Sequence, residues 1–282
     1  MSSFRNVDTE DVSMDMSRRH FGAGVSALLA GCALEPGEAS RTAPSELREQ
    51  DANELQIGML LYPEFTSQDF VGPQLVFGSL GNVKVHVLWK EVAVVTSDSQ
   101  LGIQATTALR DCPKKLDVLF VPGGTGTWRM MNDPEILAFL RHRGERARFV
   151  TSVCTGSLLL GAAGLLCGYR AATHWAYRDV LPLVGAIPVA ERVVRDRNRI
   201  TGGGVTAGLD FGLTVSAELR GSDYAKQQEL IFEYAPEPPF GTGRPETAGP
   251  QLTAQVRELL EPAVERTRQA ARAAQRCAAP GG

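Results

Sequence analysis

Residues 149–157 read Phe-Val-Thr-Ser-Val-Cys-Thr-Gly-Ser. Phe149 to Ser152 suit a buried strand, and the chain then turns at Val153-Cys154 into a helix from Thr155. A strand that turns into a helix over small residues lifts one side chain to the top of a sheet, as in a nucleophile elbow. That side chain is Cys154. The helix that follows directs backbone N–H groups and positive partial charge at the sulfur, which predicts a lowered thiol pKa. The Thr155 amide is one candidate oxyanion donor. The Gly123-Gly124 backbone is a second, because a missing Cβ lets it approach a ligand closely.

Working outward, strand and helix signals alternate. Gln56–Tyr62 is an apolar run ended by Pro63, and Gln68–Leu80 carries helical spacing. Val83–Trp89 alternates at period two, as a strand does. Val92–Thr96 and Ile103–Leu109 read as a further strand and a hairpin. Asp117–Val121 is a buried strand that ends in Pro122-Gly123-Gly124. Pro134–Arg143 is a helix with Pro near its start. Val193–Arg195 and Arg199–Thr201 pair as a hairpin, and Leu209–Leu219 and Asp223–Tyr234 are helices. The alternation predicts an α/β fold, a doubly wound, mostly parallel sheet sandwiched by helices. Ligands in such sheets bind beyond the carboxyl ends of the strands, where Gly123-Gly124 and Cys154 both fall.

Three regions follow: 1–54, 55–240 and 241–282. The first holds Arg18-Arg19 before an apolar stretch from Phe21 to about Leu34, an export-signal-like layout resembling a twin-arginine signal. Cys32 stands where a lipoprotein would carry its lipid. Export is the expected localisation, with a cytoplasmic protein bearing a disordered extension as the alternative. Membrane association is expected only if Cys32 is lipidated. The tail carries a helical stripe of Leu252, Val256, Leu259 and Val264, with Pro262 expected to interrupt it.

Composition excludes other classes. The chain has 282 residues, 43% apolar and 22% charged, with a net charge of −3. That is globular and too acidic for a dedicated nucleic-acid binder. Five scattered cysteines make no disulfide framework. Cys112 and Cys167 read as small apolar residues, and Cys277 as incidental. The histidines at 20, 86, 142 and 174 lack metal-ligand spacing, with His86 read as structural. Gly123-Gly124-Thr125-Gly126 lacks the Lys of a phosphate loop. No metal or cofactor is expected. Asp69 lies on the rim after the first strand, as a partner for Cys154 or as a helix N-cap. His174 is a base for a Cys–His pair or a wall of the pocket.

At these residues the sequence resembles a known family. Thr151–Ser157, Gly161–Leu166 and Thr173-His174-Trp175, with Val121–Gly126, Gly185–Pro188, Glu191–Arg199, Thr201–Gly204 and Glu233–Phe240, resemble the PfpI-like branch of the class I glutamine amidotransferase-like superfamily. Within that branch they are similar to the bacterial isonitrile hydratases. The resemblance covers about Leu55 to Thr247. It implies a flavodoxin-like, usually dimeric fold without cofactor. It also implies a nucleophile at Cys154, an acidic catalytic residue at Asp69 and a supporting Thr155. The implied substrate is a small isonitrile, hydrated to a formamide, with His174 shaping the site. Two other readings stay open: a different Cys-dependent activity, hydrolytic or glyoxalase-like, and a non-catalytic sensor domain. Thr127–Met131 adds bulk after the glycine loop, which is expected to bear on substrate size.

Overall fold

A computed structural model describes residues 54–274. The export-like segment with Arg18-Arg19, Cys32 and Cys277 lie outside the described residues.

The strands are β1 (Leu55–Leu60), β2 (Val83–Trp89), β3 (Val94–Thr96), β4 (Gly102–Gln104), β5 (Thr107–Ala108), β6 (Val118–Val121) and β7 (Phe149–Val153), followed by β8 (Arg170–Ala171), β9 (Ile187–Pro188), β10 (Val193–Asp196) and β11 (Arg199–Gly202). Seven of them form the main sheet in the order β10-β11-β7-β6-β1-β2-β5. All its pairings are parallel except β10 with β11. The parallel strands β2-β1-β6-β7-β11 run in the 2-1-3-4-5 order of a flavodoxin-like sheet. The chain leaves β1 toward β2 on one side and returns as β6 on the other. A crevice therefore opens at the carboxyl ends of β1 and β6.

The residues of β6 and β7 are buried throughout, as strands covered on both faces should be. One face carries α1 (Ser67–Gly78), with α5 (Ala207–Arg220) and α6 (Ser222–Ile231) packed beside it. Elsewhere in the chain lie α2 (Thr127–Met130), α3 (Pro134–Gly144) and α4 (Gly156–Ala162). A 3₁₀ helix (Trp175–Val184), α7 (Pro245–Ala248) and α8 (Pro250–Ala273) complete the helices used below. Asp133 caps α3, accepting the amides of Glu135 and Ile136, and Pro134 fills the first turn. A Cβ on Gly212 would lie 2.9 Å from Val76, so the glycine lets α5 close on α1.

Two expectations change. The hairpin seen in 92–109 is β3 with β4, outside the main sheet, while Thr107–Ala108 joins the sheet edge as β5. Pro262 does not interrupt the tail, because α8 runs continuously from Pro250 to Ala273. Its packing against the 3₁₀ helix and α2, with Val264, Thr267, Ala270 and Ala271 buried, offsets the missing amide. Leu259 on the same stripe stays exposed.

Beneath α1 and α5, the rings of Phe77, Phe120 and Phe211 meet at centroid distances of 5.6–6.1 Å. Phe211 is fully buried and also abuts the Gly202 Cα position beside the site. Phe211→Ala is expected to cost about 3–5 kcal/mol of stability, the usual range for a large-to-small core change. Urea unfolding at neutral pH reads this directly; a loss under about 1 kcal/mol would mean the site-side core packs loosely.

Candidate active site

Cys154 follows β7 with φ 56°, in the left-handed region that a non-glycine residue enters only under constraint. The constraint is visible on both sides of the residue. Its N–H donates to the Gly202 and Gly203 carbonyls at 3.1 and 2.8 Å. Its own carbonyl accepts the Ser157 and Thr173 hydroxyls at 3.1 and 3.0 Å. The side chain is 6% exposed.

Asp69 comes to the same point from the neighbouring crevice. It sits in the first turn of α1 and is 0% exposed. The N-cap position belongs to Thr66, and Asp69 does not cap the helix. Its Oδ2 instead accepts the Gly123 N–H at 3.0 Å, while the Cys154 thiol interacts with the same carboxyl. Its Oδ1 is buried with no hydrogen-bond partner. Gly123 lies between the two groups. A Cβ there would stand 2.7 Å from both Asp69 Oδ2 and Cys154 Cβ, and 2.6 Å from the Thr155 amide nitrogen. Only glycine allows this contact.

The glycine loop is zipped to the loop after β1. Thr66 N–H donates to Gly123 O at 2.9 Å, and Gly126 N–H to Glu64 O at 3.1 Å. A Cβ on Gly124, at φ 151°, would lie 2.3 Å from the Glu64 carbonyl. A buried hydroxyl chain holds the loop from the other side. Tyr62 donates to Pro122 O at 2.8 Å and meets Thr127 Oγ1 at 3.1 Å; Thr127 Oγ1 meets Thr155 Oγ1 at 2.7 Å. Thr155 Oγ1 in turn accepts the Gly124 N–H at 3.0 Å.

Two sequence expectations are corrected here. The Gly123 and Gly124 amides do not face an oxyanion site, because Asp69 and Thr155 already occupy them. The amides directed at the sulfur are those of Thr155 and Val205. Nor is the thiol pKa lowered. Burial, then the Asp69 carboxyl, pushes it well above the ordinary thiol range, outweighing those two amides. The α4 helix behind it has only seven residues, a short source of dipole. The Asp69 carboxyl is itself pushed up to about 7, chiefly by burial, against hydrogen bonds from Cys154 and Gly123 that lower it. A thiol and a carboxyl thus sit together, and near neutral pH the thiol keeps its proton while the carboxyl titrates.

His174 stands apart from this pair. Its Nδ1 accepts the Ala176 N–H at 3.3 Å, capping the 3₁₀ helix, and burial depresses its pKa to about 4. It is therefore neutral, with its proton on Nε2. It lines a cavity of about 720 Å³ with Thr173 and Val205. The bulk of Thr127–Met131 does not line this cavity. Met130 and Met131 join the core, and Arg129 pairs with Glu64 at 2.5 Å. His86 is buried in β2 and bonds Gln56 at 2.8 Å and Thr107 at 3.2 Å, a structural role.

Comparison with known proteins follows from this geometry. The family model described as the DJ-1/PfpI family matches residues 56–218. The chain belongs to the DJ-1/PfpI family. An isonitrile hydratase of Pseudomonas putida is 52% identical over 211 residues, covering 75% of this chain and 92% of that protein. A crystal structure of a ThiJ/PfpI family protein from Pseudomonas syringae superposes with TM-score 0.77 at 48% identity, covering 85% of this chain and 99% of that one. A helix-turn-helix transcriptional regulator of Pseudomonas aeruginosa is 30% identical, but its match covers 66% of this chain and only 52% of the regulator.

Several residues of this DJ-1/PfpI site had no separate signal in the sequence. Tyr62 and Thr127 read as a strand end and a loop, yet Thr127 bonds Thr155 and Tyr62 holds Thr127. Val205 follows a glycine run and shows nothing by type. Its amide reaches the sulfur only because β11 pairs with β7.

The raised Asp69 pKa has a consequence for stability. The ordinary value is 3.8 and the folded value about 7, so the folded protein keeps a proton that the unfolded chain releases. Stability falls as pH rises through that window. Asp69→Asn is expected to stabilise the protein relative to wild type more at pH 8 than at pH 4, by up to roughly 4 kcal/mol. Urea titrations at both pH values measure it; an equal effect at the two would contradict a buried, proton-holding carboxyl.

Proposed function

We propose that this chain is an isonitrile hydratase, converting R–N≡C and water to R–NH–CHO. The observation that carries the reading is the buried Cys154–Asp69 pair, with Oδ1 of the carboxyl buried and without a hydrogen-bond partner at the carboxyl end of the sheet. The 52% identity to the Pseudomonas putida isonitrile hydratase supports the substrate class.

An isonitrile carbon must accept both a nucleophile and a proton. Cys154 sulfur forms the S–C bond, and the proton shared by the pair passes through Asp69 to the same carbon. The product is a thioimidate, R–N=CH–S–Cys, with Asp69 left as carboxylate. Asp69 then takes a proton from water while the hydroxide bonds to the carbon, and returns that proton to nitrogen. Collapse of the tetrahedral adduct breaks the C–S bond. The hydroxyl proton goes back to the pair, and the formamide leaves. One carboxyl serves as acid and base in turn because its pKa lies near working pH. The Thr155 and Val205 amides hold charge on sulfur as the C–S bond forms and breaks. His174, neutral and bound to a backbone amide, shapes the pocket. A thiol kept protonated by burial is also less open to oxidation, which suits the export expected from the amino-terminal segment.

Cyclohexyl isocyanide is expected to give N-cyclohexylformamide, identified by mass spectrometry, and Cys154→Ala to give none while remaining folded. Turnover retained by Cys154→Ala would end the covalent scheme. The reactive state holds one proton on the pair. The kcat/KM is therefore expected to rise about tenfold per pH unit up to near pH 7 and then level off. A flat profile between pH 5 and 8 would remove Asp69 from the acid–base role.

A further inference from the structure

The cavity beside the pair lies between the Thr173–Arg178 turn, the Gly203–Ala207 segment and the Gly243–Thr247 segment. Two of its lining residues touch Cys154: the Val205 amide reaches the sulfur, and the Thr173 hydroxyl donates to the Cys154 carbonyl. At about 720 Å³ it is in the size range of small-molecule sites. A substrate whose reacting carbon sits on Cys154 would extend its R group here.

The charges around this space are not balanced. Arg192 is neutralised by Asp210 at 2.7 Å and also donates to the Thr206 carbonyl at 2.9 Å. Glu191 is paired with Arg170 at 3.3 Å. Glu246 and Arg244 sit together on one exposed segment, where water screens both. Arg178 differs from all of these. It is half-buried, it lines the cavity, and no hydrogen bond or ion pair among the described residues holds its side chain. A guanidinium held by no acceptor is an unmet donor fork, and that fork matches a carboxylate. His174 adds a neutral Nε2–H donor to the same wall. Both donors come from one turn of chain and serve one space.

We infer that the substrate is an isonitrile carrying a carboxylate, which Arg178 binds in the cavity while Cys154 takes the isonitrile carbon. This rests on the isonitrile-hydratase reading of Cys154. It makes Arg178 the specificity-determining residue.

The test compares 4-isocyanocyclohexanecarboxylate with its methyl ester on the full-length protein. The acid is expected to exceed the ester in kcat/KM by at least about tenfold, chiefly through KM, the scale of one charge-assisted contact. Arg178→Gln is expected to bring the ratio within about twofold, and Arg178→Lys to keep part of it. An ester as good as the acid on wild type, or an unchanged ratio in Arg178→Gln, overturns the inference. Calorimetric binding of both compounds to Cys154→Ser protein separates this from the activity itself. Tighter, Arg178-dependent binding of the acid without turnover by wild type would uphold the anion site and sink the hydratase reading. Turnover of both compounds without preference would sink the anion site alone.

Discussion

Everything at this site depends on one close approach: Gly123 stands with its Cα between the Asp69 carboxyl and Cys154, where a Cβ would lie 2.7 Å from each. The contact needs three strand ends at once, those of β1, β6 and β7. The 2-1-3-4-5 order supplies them, because the chain reverses direction between β1 and β6 and leaves a crevice there. The zipped loops after β1 and β6, and the Tyr62–Thr127–Thr155 chain, then fix the glycine in place. Strain at Cys154 is borne by a residue whose N–H and carbonyl are both held by neighbours, so the backbone has no easy route to relax.

Burial is the price of this arrangement, and also its chemistry. A carboxyl and a thiol removed from water and set together cannot both ionise near neutral pH. Two backbone amides favour charge on sulfur, but they are too few to offset desolvation and the neighbouring carboxylate. The pair therefore stores a proton. An isonitrile carbon needs a nucleophile and a proton at one atom, which is what such a pair offers. A site built around a free, low-pKa thiolate would supply the nucleophile alone.

Much of the fold was legible in the sequence. The apolar runs of β1, β6 and β7 and the alternation in β2 gave the sheet, and the turn after Ser152 marked the elbow. The errors have physical causes. Pro262 breaks a helix in isolation, but packing along α8 outweighs one missing amide. The short strand β5 carries too few residues for periodicity to separate it from the hairpin before it. At the site, residue types pointed to Cys154 and Asp69, since few side chains can do that chemistry. The partners of Gly123 and Gly124 were not legible, because backbone donors look alike in sequence and only the loop geometry shows which are occupied. The direction of the Cys154 shift was misread for a related reason. A helix start is visible in sequence, whereas depth of burial is a property of the whole sheet.

The central claim is that Asp69 holds a proton near neutral pH beside an un-ionised Cys154. Infrared titration of the protonated carboxyl band, as a difference between wild type and Asp69→Asn, tests it without substrate. The account requires a protonated-carboxyl band present at pH 5, lost with a midpoint near pH 7 and absent from the variant, with no thiolate absorbance gained over the same range. A carboxyl already ionised at pH 5, or thiolate present at pH 7, would contradict it.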